Sequence, residues 1–225
     1  IQFAIASGRP WASVEHAFEP VKRKIFYVAN NGAYVGCCGR SLYVYSIEQE
    51  LVHRIIKKVR RYPDLEVVYA GANGDYLESS NERLMNWLIE SYKFNLTRVD
   101  DLLGLDEPCV KVSIYKSEGI EAASRDIYEE FKDELKMSCA GDMWMDCMAK
   151  GVNKGRAIRT IQESLNIKPE ETMAFGDQLN DLEMLEQAYY SFAVANARDE
   201  VRKAARFQAD SNENDGVLKI LKHLL

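Results

Sequence analysis

From Ala149 to Leu225 the chain alternates short apolar runs with stretches of helical period, and this rhythm restricts the possible folds most. Lys154 to Leu165 places Ile158, Ile161 and Leu165 on one helical face. Thr172-Met173-Ala174-Phe175 reads as a strand, stopped by Gly176-Asp177. Asp181 to Ala188 is expected to be helical, Ser191–Val194 a strand, Arg198–Ala205 a helix, Phe207–Ala209 a short strand and Val217–Leu224 a closing helix. Strands that alternate with helices pair in parallel and carry helices on both faces of the sheet. The fold class is therefore α/β.

The beginning of the chain follows the same style. Ile1 to Ala6 reads as a buried strand that ends in the turn Ser7-Gly8-Arg9-Pro10, and a short helix with Val14, Ala17 and Phe18 on one face follows. Ile25 to Ala29 is a near-continuous apolar run, the signature of a strand covered on both faces. Asn30-Asn31-Gly32 breaks it, and Ala33–Val35 with Ser41–Tyr45 forms a hairpin. From about Ile47 to Met148 the pattern changes. Ser46 with Gln49 resembles a capping box. Leu51, Val52, Ile55, Ile56 and Val59 then mark an amphipathic helix stopped by Pro63. Leu65–Ala70 and Tyr76–Glu78 alternate as strands, Ser79 with Glu82 opens a helix bearing Leu84, Trp87, Leu88 and Tyr92, and Val110–Tyr115 is a strand. Ile120, Ala123, Ile127, Phe131 and Leu135 keep helical period, and Met137–Met148 closes as a pair of strands. This middle part is α+β in character. The expected organisation is a core segment 1–46, an inserted domain 47–148 and a second core segment 149–225.

A chain of 225 residues, 47% hydrophobic and 28% charged, has the means to bury a sizeable core. With 29 basic against 35 acidic residues the net charge is −6, which argues against nucleic acid and anionic membranes as partners. No apolar run approaches the roughly 18 residues of a membrane span. Cys37, Cys38, Cys109, Cys139 and Cys147 form no Cys-x-x-Cys pair and are joined by only three histidines, so neither a disulfide framework nor a zinc site is expected. Reduced thiols and a cytoplasmic location follow. No signal peptide opens the chain. It starts at Ile1, inside a strand pattern, and residues upstream are expected.

Four polar turns carry the candidate chemistry. Gly176-Asp177-Gln178-Leu179-Asn180-Asp181 lies between a strand and a helix, where ligands bind in open α/β sheets. Asp177 and Asp181 are four apart and repel by roughly 0.2–0.5 kcal/mol even when exposed. Mg²⁺ would remove that cost, since it accepts one or two carboxylates, keeps water ligands and bridges to phosphate. A solvated acidic helix start explains the same residues. Ser7-Gly8, at another strand end, offers a hydroxyl and backbone N–H groups to a phosphate oxygen, or forms a plain turn. Lys154, at a helix start where cations are disfavoured, points to an anionic partner or is a surface lysine. Asn31 can orient phosphate or substrate, or merely shape its turn.

Together these turns resemble the haloacid dehalogenase (HAD) superfamily, in particular its Cof-type sugar-phosphatase-like branch. Ile5-Ala6-Ser7-Gly8-Arg9-Pro10 is similar to the second motif of that family, Lys154-Gly155 to the third and Gly176 to Asp181 to the fourth. Asn30-Asn31-Gly32, Ala193 to Ala197 and Ser211 to Val217 match further landmarks, although Ala195 stands where glycine is usual. The resemblance implies a HAD-like Rossmannoid core with a parallel sheet and an inserted α+β cap. It implies a Mg²⁺-dependent phosphatase acting on a small phosphate ester through an aspartyl-phosphate. Asp177 would be a direct metal ligand, and Asp181 would hold a metal-bound water or fix Lys154. Ser7 and Gly8 would bind the phosphoryl oxygens and Lys154 would offset developing charge. Asn31 and Asn180 would place phosphate or substrate. The cap would exclude water and choose the leaving group, with Tyr69, Asn73, Asp75, Met143 and Trp144 as entrance candidates.

The first family motif, an Asp-x-Asp pair that supplies nucleophile and general acid/base, does not occur in the 225 residues. Its expected place is upstream of Ile1. Loss of such a nucleophile costs on the order of 10⁶ in rate, roughly 8 kcal/mol. The alternatives to a phosphatase are a catalytically inactive phosphate-ligand or scaffold protein of the same fold, and a phosphomutase.

Overall fold

A computed structural model describes residues 1–223, which divide into two compact units, Ile1–Val152 and Asn153 onward. The first unit opens with β1 (Phe3–Ala6), α1 (Trp11–Ala17), β2 (Ile25–Ala29), β3 (Tyr34–Cys37) and β4 (Arg40–Val44). They form one sheet in the order β1-β2-β3-β4, with β1 and β2 parallel and the rest antiparallel. Val14 of α1 packs on Ile25, Tyr27, Ala29 and Tyr34, and Trp11 stacks on Tyr34 with ring centroids 5.3 Å apart. The opening strand differs from expectation. It begins at Phe3, and Ile1 to Ala4 are exposed, because β1 is an edge that pairs only with β2 within its sheet. Ala17, expected inward, is exposed as well.

The remainder of this unit is a six-stranded sheet with helices on both faces. Its elements are α2 (Gln49–Val59), β5 (Glu66–Gly71), β6 (Asp75–Leu77), α3 (Glu82–Tyr92), β7 (Leu96–Arg98), β8 (Cys109–Tyr115), α4 (Ile120–Ala123), α5 (Arg125–Phe131), β9 (Leu135–Ala140) and β10 (Trp144–Ala149). The strand order is β7-β6-β5-β8-β10-β9. Val52, Ile55 and Ile56 of α2 and Ile127 and Phe131 of α5 close one face over Val67, Tyr69, Val112, Ile114 and Met145. On the other face Leu84 and Leu88 of α3 pack against Val68 and Leu77, with Trp87, Tyr115 and Trp144 around them. Both ends of this segment meet in a third cluster, where Tyr45 and Ala149 pack against Ala33, Ala70, Met148 and Val152.

Local chemistry corrects several expectations here. No capping box forms at Ser46. The N-cap of α2 is Glu48, whose side chain makes no capping bond. Asn81, rather than Ser79, caps α3 by accepting from Leu84 N at 3.1 Å. The single helix expected from Ile120 to Leu135 is two, divided at the buried Ser124, whose φ of −99° and ψ of 5° leave helical geometry. Leu135 belongs to β9. Strand β7 was not expected, since Thr97 and Arg98 are exposed and leave no apolar alternation to read.

The second unit holds α6 (Lys154–Leu165), β11 (Met173–Gly176), α7 (Leu182–Leu185), β12 (Tyr190–Val194), α8 (Asp199–Ala204), β13 (Phe207–Ala209) and α9 (Gly216–Lys222). Its three strands are all parallel in the order β11-β12-β13, as the alternation required. Ala157 and Ile161 carry the buried side of α6, whereas Leu165, expected inward, is exposed in its last turn. The expected closing helix ends earlier, at Lys222, and Leu224 lies outside the described residues.

Candidate functional site

In the first unit the carboxyl ends of β1 and β2 are laced together by their own backbone. Ser7 N donates to Val28 O at 2.8 Å, Asn31 N to Ser7 O at 3.0 Å and Asn30 N to Arg9 O at 2.9 Å. The Ser7 hydroxyl accepts from Arg9 N at 3.1 Å, which fixes it inside its turn. Gly8 lies directly against Asn31, since a Cβ at Gly8 would stand 3.0 Å from Asn31 Oδ1. Asn30, Asn31 and Gly32 have φ of 47°, 55° and 99°, three left-handed residues in succession, which suits Asn and Gly and few others. Ser7, Gly8 and Asn31 are thus brought together. The Asn31 amide also donates to Met148 Sδ at 3.9 Å, reaching the last residues of β10.

In the second unit Lys154 and Asp181 form a buried ion pair, Nζ to Oδ1 2.6 Å, with both side chains about 6% exposed. The other oxygen of Asp181 accepts from the backbone N–H groups of Asp177 and Gln178, each at 3.0 Å. Burial of such a pair is tolerable only with the remaining lone pairs satisfied, and here they are. Two glycines make the contact sterically possible. A Cβ at Gly155 would lie 2.1 Å from the Glu183 carbonyl oxygen, and one at Gly176 would lie 2.7 Å from Asp181 Cβ. Asn153 caps α6, its side chain accepting from Arg156 N at 2.7 Å. Asp177 is only half-buried, and its Oδ2 accepts from Gln178 Nε2 at 3.0 Å. Asn180 is exposed on the same loop.

Among the described residues no three His, Cys, Asp or Glu side chains gather as a metal cage. The donors present are one outward carboxylate, Asp177, backed by one committed carboxylate, Asp181. That set fits a hard cation that keeps most of its shell as water and phosphate oxygen, as Mg²⁺ does.

The six-stranded sheet holds polar groups that sequence reasoning passed over. Lys111 Nζ lies 3.2 Å from Asp146 Oδ2, and Ser113 Oγ donates to Asp146 Oδ1 at 2.6 Å, all three being buried. The available signal was a charge inside each of two apolar runs, Val110-Lys111-Val112 and Met145-Asp146-Cys147. Asp75 is buried nearby. Burial pushes its carboxyl up to about 7, opposed by Lys111 and reinforced by Glu107. Of the other entrance candidates, Tyr69 points into the opposite core and Asn73 is exposed, its N–H donating to Glu107. Trp144 packs with Trp87 and Tyr115, and Met143 borders a cavity of about 600 Å³ together with Asp64, Arg83 and Trp87.

The family model of haloacid dehalogenase-like hydrolases matches residues 1–221. The 5-amino-6-(5-phospho-D-ribitylamino)uracil phosphatase YbjI of Escherichia coli is 30% identical over 99% of this chain and 84% of its own length. Phosphatase YwpJ of Bacillus subtilis is 27% identical over 100% of this chain and 88% of its own. A crystal structure from Eubacterium rectale superposes with a TM-score of 0.93 at 31% identity, covering 100% of this chain and 86% of that one. Among the described residues no helix is long and apolar enough to cross a membrane.

Proposed function

Because the chain belongs to the haloacid dehalogenase-like hydrolases and is a phosphatase of that superfamily, we propose that it hydrolyses small phosphorylated metabolites with Mg²⁺. The observation that carries this is the buried Lys154–Asp181 pair with Asp177 beside it on the loop after β11. Asp181, fully engaged by Lys154 and two backbone N–H groups, positions the lysine rather than binding metal directly. Asp177 would hold the metal, which when bound would offset the charge of the phosphoryl group. Lys154, held in place by Asp181, stabilises the negative charge that develops on the phosphoryl oxygens. The Ser7 hydroxyl and Gly8 N–H bind phosphoryl oxygens, and Asn31 and Asn180 orient the ester. By family resemblance the nucleophile is an aspartate that attacks the phosphorus and expels the alcohol, and water hydrolyses the phospho-enzyme. Residues 47–148 serve as the cap, and 1–46 with 149–225 as the core. The name of the E. coli relative puts phosphorylated polyol derivatives first among substrates to assay. A soluble cytoplasmic enzyme is in keeping with the family.

The test is hydrolysis of p-nitrophenyl phosphate by the full-length protein. Activity should require Mg²⁺, vanish in EDTA and fall at least a hundredfold in Asp177→Asn. Turnover that persists in EDTA rejects the metal-dependent mechanism. Phosphate transfer to a second hydroxyl instead of water identifies a phosphomutase, and ligand-induced stabilisation without turnover identifies an inactive binding protein.

A further inference from the structure

Two cysteines stand next to each other at the tip of the β3–β4 hairpin. Cys37 ends β3, where it pairs with Phe26 on β2 and with Arg40 at the start of β4. The loop between Cys37 and Arg40 is therefore Cys38 and Gly39, whose φ values are 56° and 74°. Positive φ at both central residues marks a type I′ turn, whose first position is ordinarily Asn, Asp or Gly. A cysteine there carries a backbone cost that asparagine bears more lightly.

The turn brings the two thiols together, with their Sγ atoms 3.2 Å apart. The Cys38 thiol donates to the Arg23 carbonyl at 3.2 Å, so its one proton is committed and the Cys37 thiol is the donor within the pair. Burial and that bond push the Cys37 thiol up to about 11, which keeps it protonated near neutral pH. Cys38 is exposed and Cys37 half-buried, so the pair opens to solvent.

The sulfur separation selects what can join them. A disulfide needs about 2.05 Å and Cα atoms usually at least about 4.4 Å apart, whereas neighbours across a trans peptide stand about 3.8 Å apart. Closing one would distort a turn whose ends are held in register by β3 and β4. A tetrahedral zinc ion sets its sulfurs ~3.8 Å apart and asks for two further ligands. Among the described residues no third His, Cys, Asp or Glu gathers with these two. A linear two-coordinate cation such as Cu(I) places its sulfurs on opposite sides. A trivalent arsenic atom is pyramidal, with its sulfur arms nearly at right angles. Bonds about as long as those of zinc to sulfur, ~2.3 Å, then put the two sulfurs ~3.3 Å apart.

We propose that Cys37 and Cys38 form a binding site for trivalent arsenicals, the two sulfurs chelating one arsenic atom. With an arylarsine oxide, two As–S bonds form, the bonds from arsenic to oxygen break, and both thiol protons leave with the oxygen as one water. No atom changes oxidation state, so neither oxidant nor reductant is needed. The turn presents the second sulfur at high effective concentration, an advantage that a single thiol such as Cys139 lacks. The site lies at the Phe26 end of β2, away from Asn30 and Asn31, and is independent of the phosphatase reading.

The experiment treats the reduced full-length protein with one equivalent of phenylarsine oxide and follows intact mass and iodoacetamide labelling by peptide mass spectrometry. Wild type should gain one phenylarsine group with Cys37 and Cys38 protected. It should lose that group to excess 2,3-dimercaptopropanol but not to the same concentration of a monothiol. Cys37→Ser and Cys38→Asn should each weaken binding at least a hundredfold, and Cys139→Ser should leave it unchanged. Asparagine suits the turn, so Cys38→Asn should melt no lower than wild type, which separates lost binding from lost folding. An adduct that survives Cys38→Asn, that sits on Cys139, or that fails to form on wild type overturns the proposal. Rapid conversion of the pair to a disulfide by glutathione disulfide overturns it too, since the turn would then yield to a direct bond.

Discussion

Asp75 and Asp181 are both buried aspartates, and their surroundings give them opposite characters. Asp181 accepts from one ammonium and two backbone amides. The Asp75 carboxyl is pushed up to about 7 by burial, against Lys111 and with Glu107. The folded protein therefore binds this proton more tightly than the unfolded chain, where an aspartate titrates near 3.9. Its stabilising contribution is complete below about pH 4 and is lost as pH rises through 7, by at most about 4 kcal/mol. Asp75→Asn should accordingly be more stable than wild type at pH 8, and the gap should shrink toward pH 5. Urea denaturation of both proteins at the two pH values measures this, and a gap independent of pH contradicts it.

At the scale of elements, the second unit depends on close approach between α6 and α7. Gly155 meets the Glu183 carbonyl oxygen where a Cβ would stand 2.1 Å away. Alanine is the better helix former by about 1 kcal/mol, yet here the methyl group meets backbone that cannot rotate aside. Gly155→Ala should lower stability by roughly 1–3 kcal/mol through overpacking. It should also reduce phosphatase activity, because Lys154 is the adjacent residue and its pairing with Asp181 joins α6 to the loop before α7. Calorimetry and turnover check the two effects, and a raised melting temperature refutes the steric argument. The elements legible in the sequence were those with an apolar period of their own. Strands β2, β11 and β12 and helices α2 and α6 were visible in this way. What escaped was set by the backbone at single residues, such as Ser124, whose φ of −99° and ψ of 5° separate α4 from α5, or by pairing alone, as in β7.

For the molecule as a whole, the cysteines report on where the structure is tight. Cys109 and Cys147 are fully buried in the six-stranded sheet, and desolvation raises both thiols. Cys38 and Cys139 are exposed, and Cys37 is intermediate. Iodoacetamide on the native protein should modify Cys38 and Cys139 first, and Cys109 and Cys147 only at the rate of global opening, as peptide mass spectrometry would resolve. Rapid labelling of Cys109 would show that this sheet opens on its own. At this scale the turns proposed to bind phosphate were readable because each breaks a strong apolar run with Gly, Ser, Asn or Asp. The Lys111–Asp146–Ser113 group was not, since its members lie far apart in sequence and only strand register unites them. The meeting of Tyr45 and Ala149 in one apolar cluster has a consequence for ancestry. A segment that leaves and re-enters the chain at neighbouring points can be exchanged as a cassette with little cost in loop closure. On the proposed division into cap and core, preference for the leaving group would be inherited, swapped or engineered in one piece, while the residues proposed to handle the phosphoryl group stay where they are.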